Sequence, residues 1–195
     1  MTQPNYLQVQ NALDGAVAQC DAHPELSGSR LYRVRLAAAR DGFRHATEQT
    51  DAEYATWRVR VGEELKQLRQ IKVAYDRIAE RADEHGYDDL PKRAIVYTEP
   101  TQLFPLVDAT LAWLDAHAAE WPWCAASAAE IRTLVAASDT RKRAASDAYT
   151  RYTVEVKRRV AAYDGAVALL REYISDARRE AGSHHPYHGV ELDVL

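Results

Sequence analysis

Residues 54–82, YATWRVRVGEELKQLRQIKVAYDRIAERA, and residues 149–177, YTRYTVEVKRRVAAYDGAVALLREYISDA, carry the same apolar spacing. Tyr54, Trp57, Val61, Leu65, Leu68, Tyr75 and Ala82 in the first stretch return 95 residues later as Tyr149, Tyr152, Val156, Val160, Tyr163, Leu170 and Ala177. Steps of three and four residues place such side chains along one stripe of a helix. The repeat therefore describes architecture, one helical unit written twice, and carries no catalytic chemistry.

Working outward, Pro24 with Gly28, the stretch from Gly86 to Pro105, Pro122, and Gly182 with Pro186 punctuate the chain. Between them the sequence predicts a short helix over 5–22, a long one over 29–84, a short one over 101–120 and a long one over 125–181. Asp21-Ala22-His23 returns as Asp115-Ala116-His117, at an offset of 94 residues that nearly matches the repeat of the long helices. The expected organisation is a first short-long repeat over 1–84, a linker over 85–100, a second repeat over 101–181, and a flexible or docking tail over 182–195, rich in His and acidic residues. Gly86, Pro91 and Pro100 prevent continuous helix in the linker.

About 55 helical residues extend about 80 Å at a rise of about 1.5 Å each, a length typical of coiled coils. An extra step of four interrupts the heptads, which relaxes left-handed supercoiling. Gly42, Gly62 and Gly165 offer places to bend. Because the linker is short, the second short helix begins near the end of the first long one. The expected fold is all-α: an internally duplicated short-long helix hairpin whose two long antiparallel helices form an elongated, coiled-coil-like bundle with a short helix packed at each end.

Only 8 Gly and 2 Phe accompany 47% hydrophobic residues, a composition suited to long helices with a buried core and not to strands and hairpins. No apolar run reaches membrane-spanning length, and the N-terminus lacks a basic region followed by an apolar core, so the expected location is cytoplasmic. Cys20 and Cys124 are expected to be inert, reduced thiols. By segment the net charge is −3 over 1–29, +2 over 30–84, −4 over 85–123, +3 over 124–181 and −2 over the remainder.

Arg141, Lys142, Arg143, Lys157, Arg158 and Arg159 form the basic patch that would meet nucleic acid or anionic lipid. Consecutive residues point around a helix, however, and a net charge of −4 opposes general polyanion binding. A carboxylate-bridged di-metal bundle needs Glu-x-x-His pairs, and none is present before His23, His45, His85 or His117. Asp41, His45 and Gln49 share a helix face and read as surface hydrogen-bonding groups. His184, His185 and His188 are the one concentrated set of imidazoles, suited to Zn²⁺, Ni²⁺ or Cu²⁺, although Pro186 forbids a helical arrangement and a structural site normally takes four ligands. No cofactor is implied.

Trp113, Trp121 and Trp123 cluster at the second turn, where they either plug the open end of a core or anchor a partner. Leu192, Val194 and Leu195 belong to a segment alternating apolar and acidic residues, suited to another protein's groove or sheet edge. Tyr187-x-x-x-Glu191 after a helical hairpin resembles the tail signal of helical-hairpin substrates of type VII secretion. Trp121-Pro122-Trp123 departs from the Trp-x-Gly of that family, and no family is assigned. No phosphate loop, nucleophile elbow or metal-spaced Cys pair occurs. The expected function is a non-enzymatic protein–protein interaction module, an adaptor, scaffold or self-assembling component, able to form a homodimer and implying no small-molecule substrate. The alternatives are anionic-lipid or nucleic-acid binding by the basic long helices, or a ligand- or metal-binding bundle.

Overall fold

The computed structural model describes residues 5–91 and 99–181, and within them the chain is all-helical: α1 (Tyr6–Ala22), α2 (Ser27–Glu84), α3 (Pro100–His117) and α4 (Pro122–Ala181). Among the described residues there is no strand. The helix starts follow local chemistry. Asn5 accepts from the Gln8 N–H at 2.9 Å while its own N–H donates to the Gln8 side chain at 2.7 Å, a reciprocal cap that opens α1. Pro100 and Pro122 open α3 and α4, at positions where the missing N–H has no intrahelical role.

Gly86 ends α2. Its φ of 77° lies in the left-handed region, and the Tyr87 N–H turns back to the Ala82 carbonyl at 3.0 Å, closing the helix in the manner of a Schellman motif. Beyond this turn the chain stays pinned, because Leu90 is buried and the Tyr75 hydroxyl donates to the Pro91 carbonyl at 2.8 Å. The long helices run through Gly42, Gly62 and Gly165; a Cβ built at any of the three meets nothing within 4 Å, so packing does not require glycine there. Thr47 and Thr50 return their hydroxyls to the carbonyls four residues back, which lets them sit inside a helix with their polar groups satisfied.

The chain divides into two compact units, Met1–Tyr54 with Arg151–Leu195, and Ala55–Thr150. In the first, α1 lays Val9, Leu13, Ala16 and Cys20 against Tyr32, Leu36 and Phe43 of α2 and Leu170, Tyr173 and Ala177 of α4. The α2 and α4 segments of this unit run antiparallel, as Arg35 pairs with Glu172, Thr50 donates to the Glu155 carbonyl at 3.1 Å, and Glu53 pairs with Arg151. In the second unit, α3 lays Leu103, Val107 and Leu114 against Leu68, Ile71 and Ile78 of α2 and Ile131 of α4. Its long segments are antiparallel too: buried Gln67 reaches the Leu134 carbonyl at 3.0 Å and Arg77 pairs with Glu130. In the second unit the buried Gln67 side chain thus fixes the register of α2 against α4 by bonding a backbone carbonyl, since sliding by one residue would leave it unsatisfied.

Cys20 and Cys124 are buried and free, and burial pushes both thiols above their ordinary value. No described helix is long and apolar enough to cross a membrane.

Candidate functional site

One surface feature of the first unit lies where α2 begins beside the last turns of α4. Glu180 of α4 caps α2: one carboxylate oxygen accepts the Ser27 N–H at 3.1 Å and the Ser27 hydroxyl, and the other accepts the Gly28 N–H at 2.9 Å. A carboxylate placed on those free N–H groups also meets the positive end of the helix dipole. One turn into the helix, the buried Tyr32 hydroxyl donates to Asp176, and to Glu172 at 3.1 Å. Arg35 then grips Glu172 with two bonds of 3.2 and 2.9 Å and lies 5.2 Å from the Tyr32 ring centroid.

These contacts set the titration of the group. Donation to Asp176, followed by burial and donation to Glu172, pushes the Tyr32 phenol above its ordinary value near 10. Arg35, with Tyr32 second, holds the Glu172 carboxyl below the usual carboxylate range. A phenol raised in the folded state stabilises the fold below its unfolded pKa, and that contribution is lost as pH rises beyond about 10. Lowered Glu172 acts in the opposite sense; its contribution is complete above the ordinary carboxylate range and is lost as pH falls through its lowered value. Tyr32→Phe is expected to cost about 1–2 kcal/mol at neutral pH and to flatten the alkaline limb. Urea unfolding at about pH 8 and about pH 11 checks this; an equal loss of stability at high pH in both proteins would refute it.

A cavity of about 510 Å³ lies over this group, lined by Ser27, Gly28, Leu31, Tyr32, Asp176, Arg179 and Glu180. Leu31 is 61% exposed and Val34, one turn on, 70% exposed, although both belong to a helix whose other face is core. With exposed Ala38 they form a second apolar stripe on α2, bordered in helical register by Arg30 on one side and Arg35 on the other. The spacing at 31, 34 and 38 is visible in the sequence. It is overlooked when only one apolar stripe per helix is sought.

The second unit holds the tryptophans. Trp113 is buried, stacks on His117 at 4.3 Å, meets Tyr87 edge-on at 5.3 Å and donates to Asp89 at 3.0 Å. Trp121 and Trp123 are half-buried against the same core; Trp121 donates to Tyr87 and meets His85, while Arg81 lies 5.2 Å over Trp123. The three form one aromatic end to the core. A smaller cavity of about 370 Å³ in this unit is lined by Lys66, Arg69, Gln70, Val73, Arg77, Glu130 and Leu134.

The basic runs are divided between the units. Arg141, Lys142 and Arg143 lie in the second, with Arg141 half-buried and the other two exposed. Lys157, Arg158 and Arg159 lie in the first, where Arg158 pairs with Glu155 and Arg159 approaches Asp51 at 3.8 Å while covering the Tyr6 ring at 4.6 Å. Among the described residues no group of three or more His, Cys, Asp or Glu side chains is placed to hold a metal ion. Asp41 pairs with Arg40, which holds its carboxyl below the usual range. His184, His185, His188, Leu192, Val194 and Leu195, with the Tyr187-x-x-x-Glu191 pattern, lie outside the described residues.

The chain matches no protein-family model, no curated protein and no solved structure.

Proposed function

We propose that this chain is a non-enzymatic helical protein–protein interaction module whose docking surface is the Leu31–Val34 stripe and the cavity beside it. The observation that carries the reading is the pair of branched apolar side chains, 61% and 70% exposed, one helical turn apart on a face that no other described helix covers. Single exposed apolar residues are ordinary, but adjacent ones beside a cavity are the usual material of an interface. Arg30 and Arg35 on the borders favour a partner that presents apolar anchors with carboxylates next to them.

Several residues support the further proposal that one short-long unit occurs twice. Val9, Leu13, Ala16 and Cys20 of α1 and, at an offset of 94, Leu103, Val107, Thr110 and Leu114 of α3 are all buried. On the long helices Ser29, Leu36, Phe43, Thr50, Ile71 and Ile78 match Cys124, Ile131, Ser138, Ala145, Ala166 and Tyr173 at an offset of 95, again all buried. The ion pair Arg35–Glu172 has its counterpart in Glu130–Arg77 at the same offset, with the signs exchanged. Two copies that keep the contact while swapping its charges favour common descent of the pair over chance.

The test of function uses the full chain and the double variant Leu31→Asp/Val34→Asp as baits in native cross-linking, with sedimentation equilibrium to follow self-association. The variant is expected to unfold within about 0.5 kcal/mol of the parent, as exposed positions do. Its retention of the captured protein, or its dimerisation, is expected to fall at least tenfold, about 1.4 kcal/mol. Capture and mass that are identical for the two baits would overturn the reading.

A further inference from the structure

We infer that the groove between α2 and α4 in the second unit is a docking site for an acidic amphipathic helix of another protein. The inference uses neither Leu31 nor Val34, so it stands or falls apart from the proposed function.

The groove is the cavity of about 370 Å³ whose lining comes from α2 and α4 alone, with no residue of α3. A groove between two packed antiparallel helices is the seat that a further helix takes in a four-helix bundle. From Lys66 to Arg77, α2 runs about 16 Å, three turns, which matches one face of a short helix.

The lining says what kind of helix fits. Val73 is 55% exposed and Leu134 half-buried, two branched apolar side chains on one cavity. Lys66, Arg69 and Arg77 stand round them against a single carboxylate, Glu130. Arg77 already holds Glu130 at 3.2 Å, so the excess positive charge resides on Lys66 and Arg69. Arg141, half-buried, adds to it, because it follows Leu134 by two turns along the same line of α4. Among the described residues neither Lys66 nor Arg141 is held in an ion pair. In an amphipathic helix the residues next to the apolar stripe flank it on both sides. Apolar contact with Val73 and Leu134 therefore brings flanking carboxylates of the partner toward the cations on the groove walls.

The packing of a long helix does not call for these side chains. At an offset of 95, Lys66, Arg69 and Val73 correspond to Ala161, Asp164 and Ala168 of α4, which is packed among three helices in the first unit. The ion pair Arg77–Glu130 keeps its counterpart there with the signs exchanged, whereas the excess of cations around an exposed valine does not recur.

The test is fluorescence anisotropy with the full chain and a labelled synthetic helix about four turns long, carrying Leu along one stripe and Glu on both flanks. A scrambled peptide of the same composition and a peptide with Lys in place of Glu are the controls. The acidic helix is expected to bind about tenfold more tightly than either control, and to weaken as salt rises. Lys66→Glu/Arg69→Glu is expected to lose that binding and to prefer the Lys-flanked helix, an exchange that an unfolded protein would not show. Val73→Asp is expected to weaken the acidic helix about tenfold, and Leu31→Asp/Val34→Asp to bind it as the parent does. The changed positions are exposed, so unfolding midpoints close to the parent are expected, and far-UV circular dichroism checks them. Equal affinity for the ordered and scrambled peptides, or an unaltered preference after the charge reversal, would overturn the inference. So would a heparin fragment that binds as tightly as the acidic helix, since the groove would then take polyanions in general. Loss of partner capture by Leu31→Asp/Val34→Asp with peptide binding intact would support both docking surfaces; capture unchanged in that variant with peptide binding intact would refute the proposed function alone.

Discussion

Replacing Trp113 with Ala is expected to destabilise the second unit by about 3–5 kcal/mol, a large part of the stability of a typical domain. The side chain is 8% exposed and joins three parts of its unit. Within α3 it stacks on His117, with ring planes 26° apart; toward α4 it approaches Trp123 at 6.3 Å; and its indole N–H holds Asp89 of the linker. Truncation removes apolar burial and leaves a cavity, and it also releases the turn in which Tyr87 bonds Glu120 and receives Trp121. Trp113→Phe separates the two effects: it keeps most of the ring contact and loses the donor to exposed Asp89, at a cost of about 1 kcal/mol. Denaturant unfolding followed by far-UV circular dichroism gives the stabilities, and hydrogen exchange at residues 87–91 reports the linker. A loss below about 1 kcal/mol for the alanine variant would mean that the aromatic end is an ornament of the core and not its plug.

The helices were legible because their signals are local. Periodic apolar residues, Pro at two helix starts and Gly86 at a helix end all act within a few residues, and boundaries read from them fall within three residues of those observed. Lys72 is half-buried and reaches Asp76 four residues on, a surface solution that spacing alone does not reveal. The cavity beside Leu31 was much less legible. Glu180 caps α2 across 153 residues of sequence, and Tyr32 finds its acceptors 140 and 144 residues away. Such contacts depend on which turns of two helices lie side by side, a relation set by the packing of the whole unit. Leu31 and Val34 look like core residues until Tyr32, Leu36 and Phe43 are seen to take the inner face. The tryptophans, whose residue type suggests an interface, line an aromatic end of the core in which Trp113 is buried and Trp121 and Trp123 stay half-buried.

Phe43→Ala is expected to cost the first unit about 3–5 kcal/mol and to loosen the first turn of α1. Phe43 is 1% exposed, and its ring lies 5.8 Å from Tyr6 and 6.2 Å from Tyr163, which in turn meet edge-on at 5.2 Å. Tyr6 is the first residue of α1, so this trio holds the helix start onto α2 and α4, with Arg159 covering the outer face of Tyr6. Removing the central ring leaves the Asn5 cap intact but deprives it of anything to hold the capped turn in place. Hydrogen exchange in α1 is expected to rise most at its N-terminal end. Phe43→Leu, which keeps much of the volume, is expected to cost less than about 1.5 kcal/mol. The substitution also separates folding from recognition. Phe43 lies about two and a half turns beyond Val34, on the inner face of α2, so a Phe43→Ala protein held below its unfolding transition retains Leu31, Val34, Arg30 and Arg35 as they stand. It is expected to capture partners as the parent does while being far less stable, the reverse of Leu31→Asp/Val34→Asp. If the two variants lost capture in proportion to stability, recognition would belong to the folded core as a whole and not to the stripe.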